Sequence, residues 1–196
     1  MLKSIISTSL VLLAAVANGQ TTPTPPGLEF LYSLNCTLGD QFSTGVGPYG
    51  EVRVIPITGG TFEGPKIKGK SDGRGHSCAV PVCLVGSVLT IHTLFAGEVL
   101  DLGADWNYLD NRGVTHPDTR YSLRTDDGEN IYIKTAGSDQ GDGTAHLRGI
   151  YETGSEKYFW LNYITAVGIL RGGAGNYVLI DMWYITTPPN GTVSGA

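Results

Sequence analysis

The chain has 196 residues, including 28 Gly, 10 Pro and 10 Tyr; 41% of it is apolar and only 16% charged. That apolar share can bury a core, which excludes a disordered chain, and the glycine content excludes a coiled coil. Thirteen basic against 18 acidic residues give a net charge of −5 with no Lys/Arg stripe, so nucleic acid is disfavoured as a partner.

The N-terminus reads as an address. Lys3, the apolar stretch from Ile5 to Ala17 and the small residues of Ala17-Asn18-Gly19 predict a signal peptide over 1–19. The stretch is shorter than the about 20 residues a membrane span needs, so no membrane association is expected after cleavage. The expected destination is the secretory lumen or the exterior. A Pro-rich leader over 20–27 precedes one folded domain over 28–187, and 188–196 forms a flexible tail. Asn35-Cys36-Thr37 and Asn190-Gly191-Thr192 are sequons, which makes Asn35 and Asn190 candidate glycosylation sites. Alternation puts Phe30, Tyr32, Leu34 and Cys36 on one strand face and Asn35 on the other.

Strand signals then recur at 29–37, 50–57, 60–69, 99–109, 118–126, 130–136, 147–152, 157–170 and 176–186. Turn residues separate most of them, among them Gly59-Gly60 and Asp127-Gly128. No helical stripe interrupts the pattern. An all-β fold follows, an antiparallel β-barrel of about eight to nine strands, since closure removes exposed edges. Such a barrel holds packed side chains or one small ligand. Segment 71–97 does not fit the strand pattern; Cys78 and Cys83 within it can pair in an oxidising lumen, leaving Cys36 unpaired.

Searches for a nucleophile elbow, a phosphate loop, a dinucleotide fingerprint and a zinc helix come back empty. Outside 71–97 only His116 and His146 remain, in unrelated loops, so neither a metal nor a cofactor is expected. Asp105-Trp106 and Arg120-Tyr121 are the first positive signal. A carboxylate and a guanidinium on neighbouring strands, flanked by aromatics, would orient an oxygenated aromatic ligand; a structural ion pair explains the same residues. Burial beside Trp106 would raise the pKa of Asp105, whereas Arg120 would lower it.

Tyr158, Trp160 and Asn162 fall on one face of the strand expected at 157–170, either as a cavity wall or as plain core. Asn162 must bond to backbone or to a ligand oxygen. Asp181 shares a face with Leu179 and Trp183, and either pairs with an Arg, titrates in a pocket or sits in water. The cluster Thr125 to Glu129 lacks the spacing of a calcium loop and reads as a hairpin turn, with Asp126 facing the barrel mouth.

Four blocks carry a family resemblance: Gly59-Gly60-Thr61-Phe62-Glu63-Gly64-Pro65, Gly103-Ala104-Asp105-Trp106, Arg120 through Gly128, and Tyr158-Phe159-Trp160-Leu161-Asn162. From Leu28 to Tyr184 the chain resembles the DUF3237 family of small antiparallel β-barrels, which is UPF0311-like. The family has no equivalent of 71–97, so that segment is hypothesised to be an in-frame unspliced intron.

Relatives of the family are associated with cyclisations in fungal natural-product pathways. The resemblance therefore implies a cofactor-independent cyclase or isomerase acting on a phenolic or polyketide-derived molecule. Asp105 or Asp181 would serve as base, while Arg120, Tyr121 or Asn162 would stabilise a developing enolate. Phe62, Trp106, Asp126, Tyr158, Trp160 and Asn162 would bind the small-molecule ligand. The alternative is a non-catalytic secreted carrier of small apolar metabolites, and a weaker third option is a sugar-binding module. Assembly into a homo-oligomer stays open.

Overall fold

Alternation of inward apolar and outward polar residues, punctuated by glycine turns, produces strands that wrap into a tube. The computed structural model describes residues 23–67, 96–173 and 175–187. Its elements are β1 (Gly27–Leu38), β2 (Phe42–Gly47), β3 (Gly50–Glu63), β4 (Ala96–Val99), β5 (Gly103–Leu109) and β6 (Thr115–His116). There follow β7 (Asp118–Arg124), β8 (Asn130–Asp139), β9 (Thr144–Glu152), a 3-10 turn (Phe159–Tyr163), β10 (Ala166–Gly172) and β11 (Tyr177–Thr186).

Every pairing is antiparallel, and the wall runs β1-β11-β10-β9-β8-β7, then β4 and β5 together, then β3, which pairs back onto β1. With β4 and β5 sharing one position the closed barrel has eight wall strands, as expected from sequence. The signal peptide, Cys78, Cys83, Asn190 and nearly all of 71–97 lie outside the described residues.

Four sequence expectations are corrected. Gly59 and Gly60 do not end a strand: at φ 134° and 143° they bend β3, which continues through to Glu63. That bend lets one half of β3 pair with β5 and the other half with β1 and β4. The strand expected at 99–109 is two strands, broken at Leu100–Leu102. Phe30 leaves the inner face because a register shift between Phe30 and Tyr32 makes Leu31 an extra buried residue.

The strand expected at 157–170 starts only at Ala166. Before it, Tyr158 N–H bonds Ser155 O (3.2 Å) and Leu161 N–H bonds Tyr158 O (2.9 Å), giving tight i to i+3 turns. The buried residues there, Tyr158 and Leu161, are accordingly three apart rather than two.

One half of the barrel is solid. Tyr32 packs edge-on against Phe62 and Tyr151, with ring centroids 5.9 and 6.3 Å apart. Tyr158 and Leu161 of the 3-10 segment, together with Ile67, join this core. Each fully buried side chain of this size is worth about 1.5–3 kcal/mol of apolar burial. Asp127 in the β7–β8 turn accepts hydrogen bonds from Lys157 and from Thr125 Oγ1 (2.5 Å), tying the 3-10 segment to that end.

Candidate functional site

Large aromatics fill one end; smaller residues leave the other hollow. A cavity of about 270 Å³ lies there, walled by Leu38, Ile55, Ile57, Leu170, Val178 and Ile180, with Cys36, Asp105, Asn107, Thr119 and Tyr121 among its polar groups and Thr115, Asp139 and Thr144 also lining it. An engineered cavity of roughly 150 Å³ takes benzene, so this one has room for a substituted aromatic ring.

Asp105 reaches the cavity because residues 105 and 107 of β5 point inward while 106 and 108 point out. Its Oδ1 accepts the backbone N–H of Asp118 (2.9 Å) and its Oδ2 accepts Asn107 Nδ2–H (3.2 Å). Burial pushes the Asp105 carboxyl above its ordinary value; bonds from Asn107, Asp118 and Thr119 pull the other way and lose. The result is a fixed carboxyl with enhanced basicity at an apolar wall.

Tyr121, on the neighbouring β7, is 2% exposed; its hydroxyl has no partner at full hydrogen-bond distance and only a longer, weaker interaction with the Tyr32 hydroxyl. A buried hydroxyl left short of a full hydrogen bond costs up to about 1–3 kcal/mol, so it is available to donate to a ligand acceptor. Behind it Tyr32 and Tyr151 hydrogen-bond to each other at 3.0 Å. Burial raises the pKa of all three tyrosines, keeping them protonated. Burial, with the Asp105 charge adding to it, pushes the Cys36 thiol up to about 12, so it too keeps its proton.

Sequence reasoning paired Asp105 with Arg120, and the structure separates them. Asp105 is opposite Thr119 in the β5–β7 register, so Arg120 projects from the outer face. There its guanidinium lies 5.3 Å from the Trp106 ring centroid and 3.4 Å from Asp118 Oδ2. Trp106 is 42% exposed on the same outer wall. A side-chain period of two settles this: residues 105 and 121 go in, and 106 and 120 go out.

Asp181 is also on the outside, where Ser33 Oγ and Arg171 Nη1 each reach it at 2.6 Å. Partial burial works against its charge, but those two bonds hold its pKa low. Phe62 and Tyr158 belong to the packed end, and Trp160 packs against it, edge-on to Tyr184.

Asn162 is engaged by backbone: its Oδ1 accepts Thr153 N–H (3.0 Å), and its Nδ2 donates to Thr153 O and Phe159 O (both 2.9 Å). Asp126 sits in the β7–β8 turn near the packed end, away from the cavity. Asn35 is exposed on the outer face of β1. Of the expected residues, then, the cavity gathers Asp105 and Tyr121. It adds Cys36, Asn107 and Thr119, which sequence reasoning missed although inward alternation with Asp105 and Tyr121 marks Asn107 and Thr119.

Among the described residues no three His, Cys, Asp or Glu side chains converge as a metal site requires. The chain is 30% identical over 161 residues to the hydroalkoxylation enzyme phnH of Penicillium herquei, covering 82% of this chain and 84% of that one. Its fold matches the crystal structure of a β-barrel-like protein from Acinetobacter baumannii with a TM-score of 0.63 and 30% identity, over 85% of this chain and all of that one. A crystal structure of an enzyme from Penicillium herquei matches with a TM-score of 0.57 and 25% identity, over 84% of this chain and 98% of that one. The model of the family described as "protein of unknown function (DUF3237)" matches residues 26–185, and the chain belongs to that family.

Proposed function

We propose that this chain is a cofactor-independent cyclase that adds a phenolic O–H across a carbon–carbon double bond conjugated to a carbonyl, within the hollow end of the barrel. The observation that carries the reading is the presence, in one largely apolar cavity, of a basic carboxyl at Asp105 and the incompletely bonded hydroxyl of Tyr121. Kinship with a hydroalkoxylation enzyme supports the reaction class.

Asp105 takes the phenolic proton as the oxygen bonds to the alkene carbon. Negative charge then moves to the carbonyl oxygen, where the Tyr121 O–H donates to the developing enolate. The protonated Asp105 returns the proton to carbon, so the product is an isomer of the substrate and nothing else is consumed. Asn107 and the Asp118 N–H hold the carboxyl in place, and the apolar wall excludes water.

2-Hydroxyphenyl vinyl ketone, which closes to a six-membered cyclic ether, tests the reading: the chain should speed closure above the buffer rate and Asp105→Asn should abolish the gain. A chain that binds this and related phenols without converting them would be a carrier instead. The same reading includes the secretory route and a glycan on exposed Asn35, checked by a mass shift on enzymatic deglycosylation.

A further inference from the structure

A second chemical constellation lies on the outer wall, separated from the cavity by the sheet itself. Asp110 closes the turn after β5, its Oδ1 accepting the N–H groups of Arg112 (2.8 Å) and Val114 (2.9 Å). Its Oδ2 lies 3.1 Å from His116 Nε2. The other ring nitrogen, Nδ1, lies 2.9 Å from Ser138 Oγ on β8. The hydrogen bond from His116 leads the causes that hold the Asp110 carboxyl below its ordinary range, so it accepts and does not donate.

With Asp110 accepting, the tautomer that suits both partners has its proton on Nε2, and its Nδ1 accepts the Ser138 O–H. The imidazole is further fixed by stacking on Tyr108, with ring centroids 4.5 Å apart and planes at 16°. A serine, a base oriented toward it, and a carboxylate that sets the tautomer have the roles of an acyl-transfer triad, with the two ring nitrogens exchanged.

His116 and Ser138 open onto a groove of about 680 Å³ that is also lined by Trp106, Tyr108, Lys134 and Arg148. The two rings line it with apolar surface, and Arg148 offers positive charge for an oxyanion, Lys134 being paired with Asp118 of the same groove (3.9 Å). We propose that Ser138, His116 and Asp110 form a second site, one that hydrolyses small aryl esters. Ser138 Oγ attacks the ester carbonyl and passes its proton to His116 Nδ1. The tetrahedral oxyanion collapses, the C–O bond to the alcohol breaks, and the alcohol leaves with that proton. Water, deprotonated by His116, then cleaves acyl-Ser138 to the acid and restores the serine.

The test uses the intact chain with 4-nitrophenyl acetate as substrate and a fluorophosphonate as covalent probe, the labelled residue being located by mass spectrometry. The probe should attach to Ser138 in the wild-type chain, a result that needs no variant to fold. Ser138→Ala should lose the label and at least about 100-fold of the ester hydrolysis, and Asp110→Asn should lose at least about 10-fold. A probe that labels other residues or none, or a Ser138→Ala chain as fast as wild type, overturns the proposal and leaves the interior site untouched.

Discussion

Replacing Asp105 by Asn separates catalysis from folding because the two effects have opposite signs. Loss of a general base costs about 10²–10⁴ in rate, or about 2.7–5.4 kcal/mol of barrier. For stability, burial lifts the Asp105 carboxyl above its ordinary 3.8, so the folded chain binds that proton more tightly than the unfolded chain. Stability consequently falls as pH rises from the unfolded value through the folded one, and the deficit persists at pH 7.

Asn carries no charge, keeps an acceptor for the Asp118 N–H, and meets an Asn107 amide that can reverse to present its oxygen. Melting at pH 7 should therefore rise, by about 2–4 °C for each 1 kcal/mol recovered in a chain of this size. The gain should vanish below pH 3.8, where both states hold the proton. Turnover of 2-hydroxyphenyl vinyl ketone is followed by absorbance, and melting by circular dichroism at both pH values. A variant with unchanged turnover, or one that melts below wild type at pH 7, refutes the reasoning.

Tyr121→Phe removes a hydroxyl without a full hydrogen bond, so its melting temperature should hold or rise while turnover drops about 10-fold or more; a lower melting temperature would mean that the interaction with Tyr32 matters to the fold. Asn162→Ala discards three hydrogen bonds that fasten the 3-10 segment, and at about 0.5–1.5 kcal/mol each the loss should show in urea titration. Gly60→Ala forces a side chain onto a φ of 143° and its Cβ into the Asn35 carbonyl oxygen, at a cost of at least about 1–3 kcal/mol in the same titration. Arg120→Ala, on the outer face, should leave cavity turnover within about threefold and stability within about 0.5 kcal/mol; a collapse of turnover would bring Arg120 back to the reaction.

Alternation and turn chemistry are local properties, and they made the barrel readable. Tyr32, Leu34 and Cys36 share an inward face with Asn35 opposite them in both the pattern and the structure, and Asp127-Gly128 forms the hairpin turn that its residues suggest. Local rules misled where two local structures share one composition. Gly59-Gly60 suits a turn or a bend, and only its three partner strands made it a bend. Tyr158 to Tyr163 has strand-like aromatics, yet a turn hydrogen-bonded through Asn162 buries Tyr158 and Leu161 better than a strand would.

The linear chain thus determined the fold class and the antiparallel pairing of the strands and put Asp105 and Tyr121 among the candidate residues, because side-chain period and turn preference act within a few residues. Only the tertiary structure decided which end is hollow, that Arg120 stands outside with Trp106, and that Asp110, His116 and Ser138 meet. Those outcomes depend on register between strands distant in sequence, where a shift of one residue moves every side chain to the opposite face.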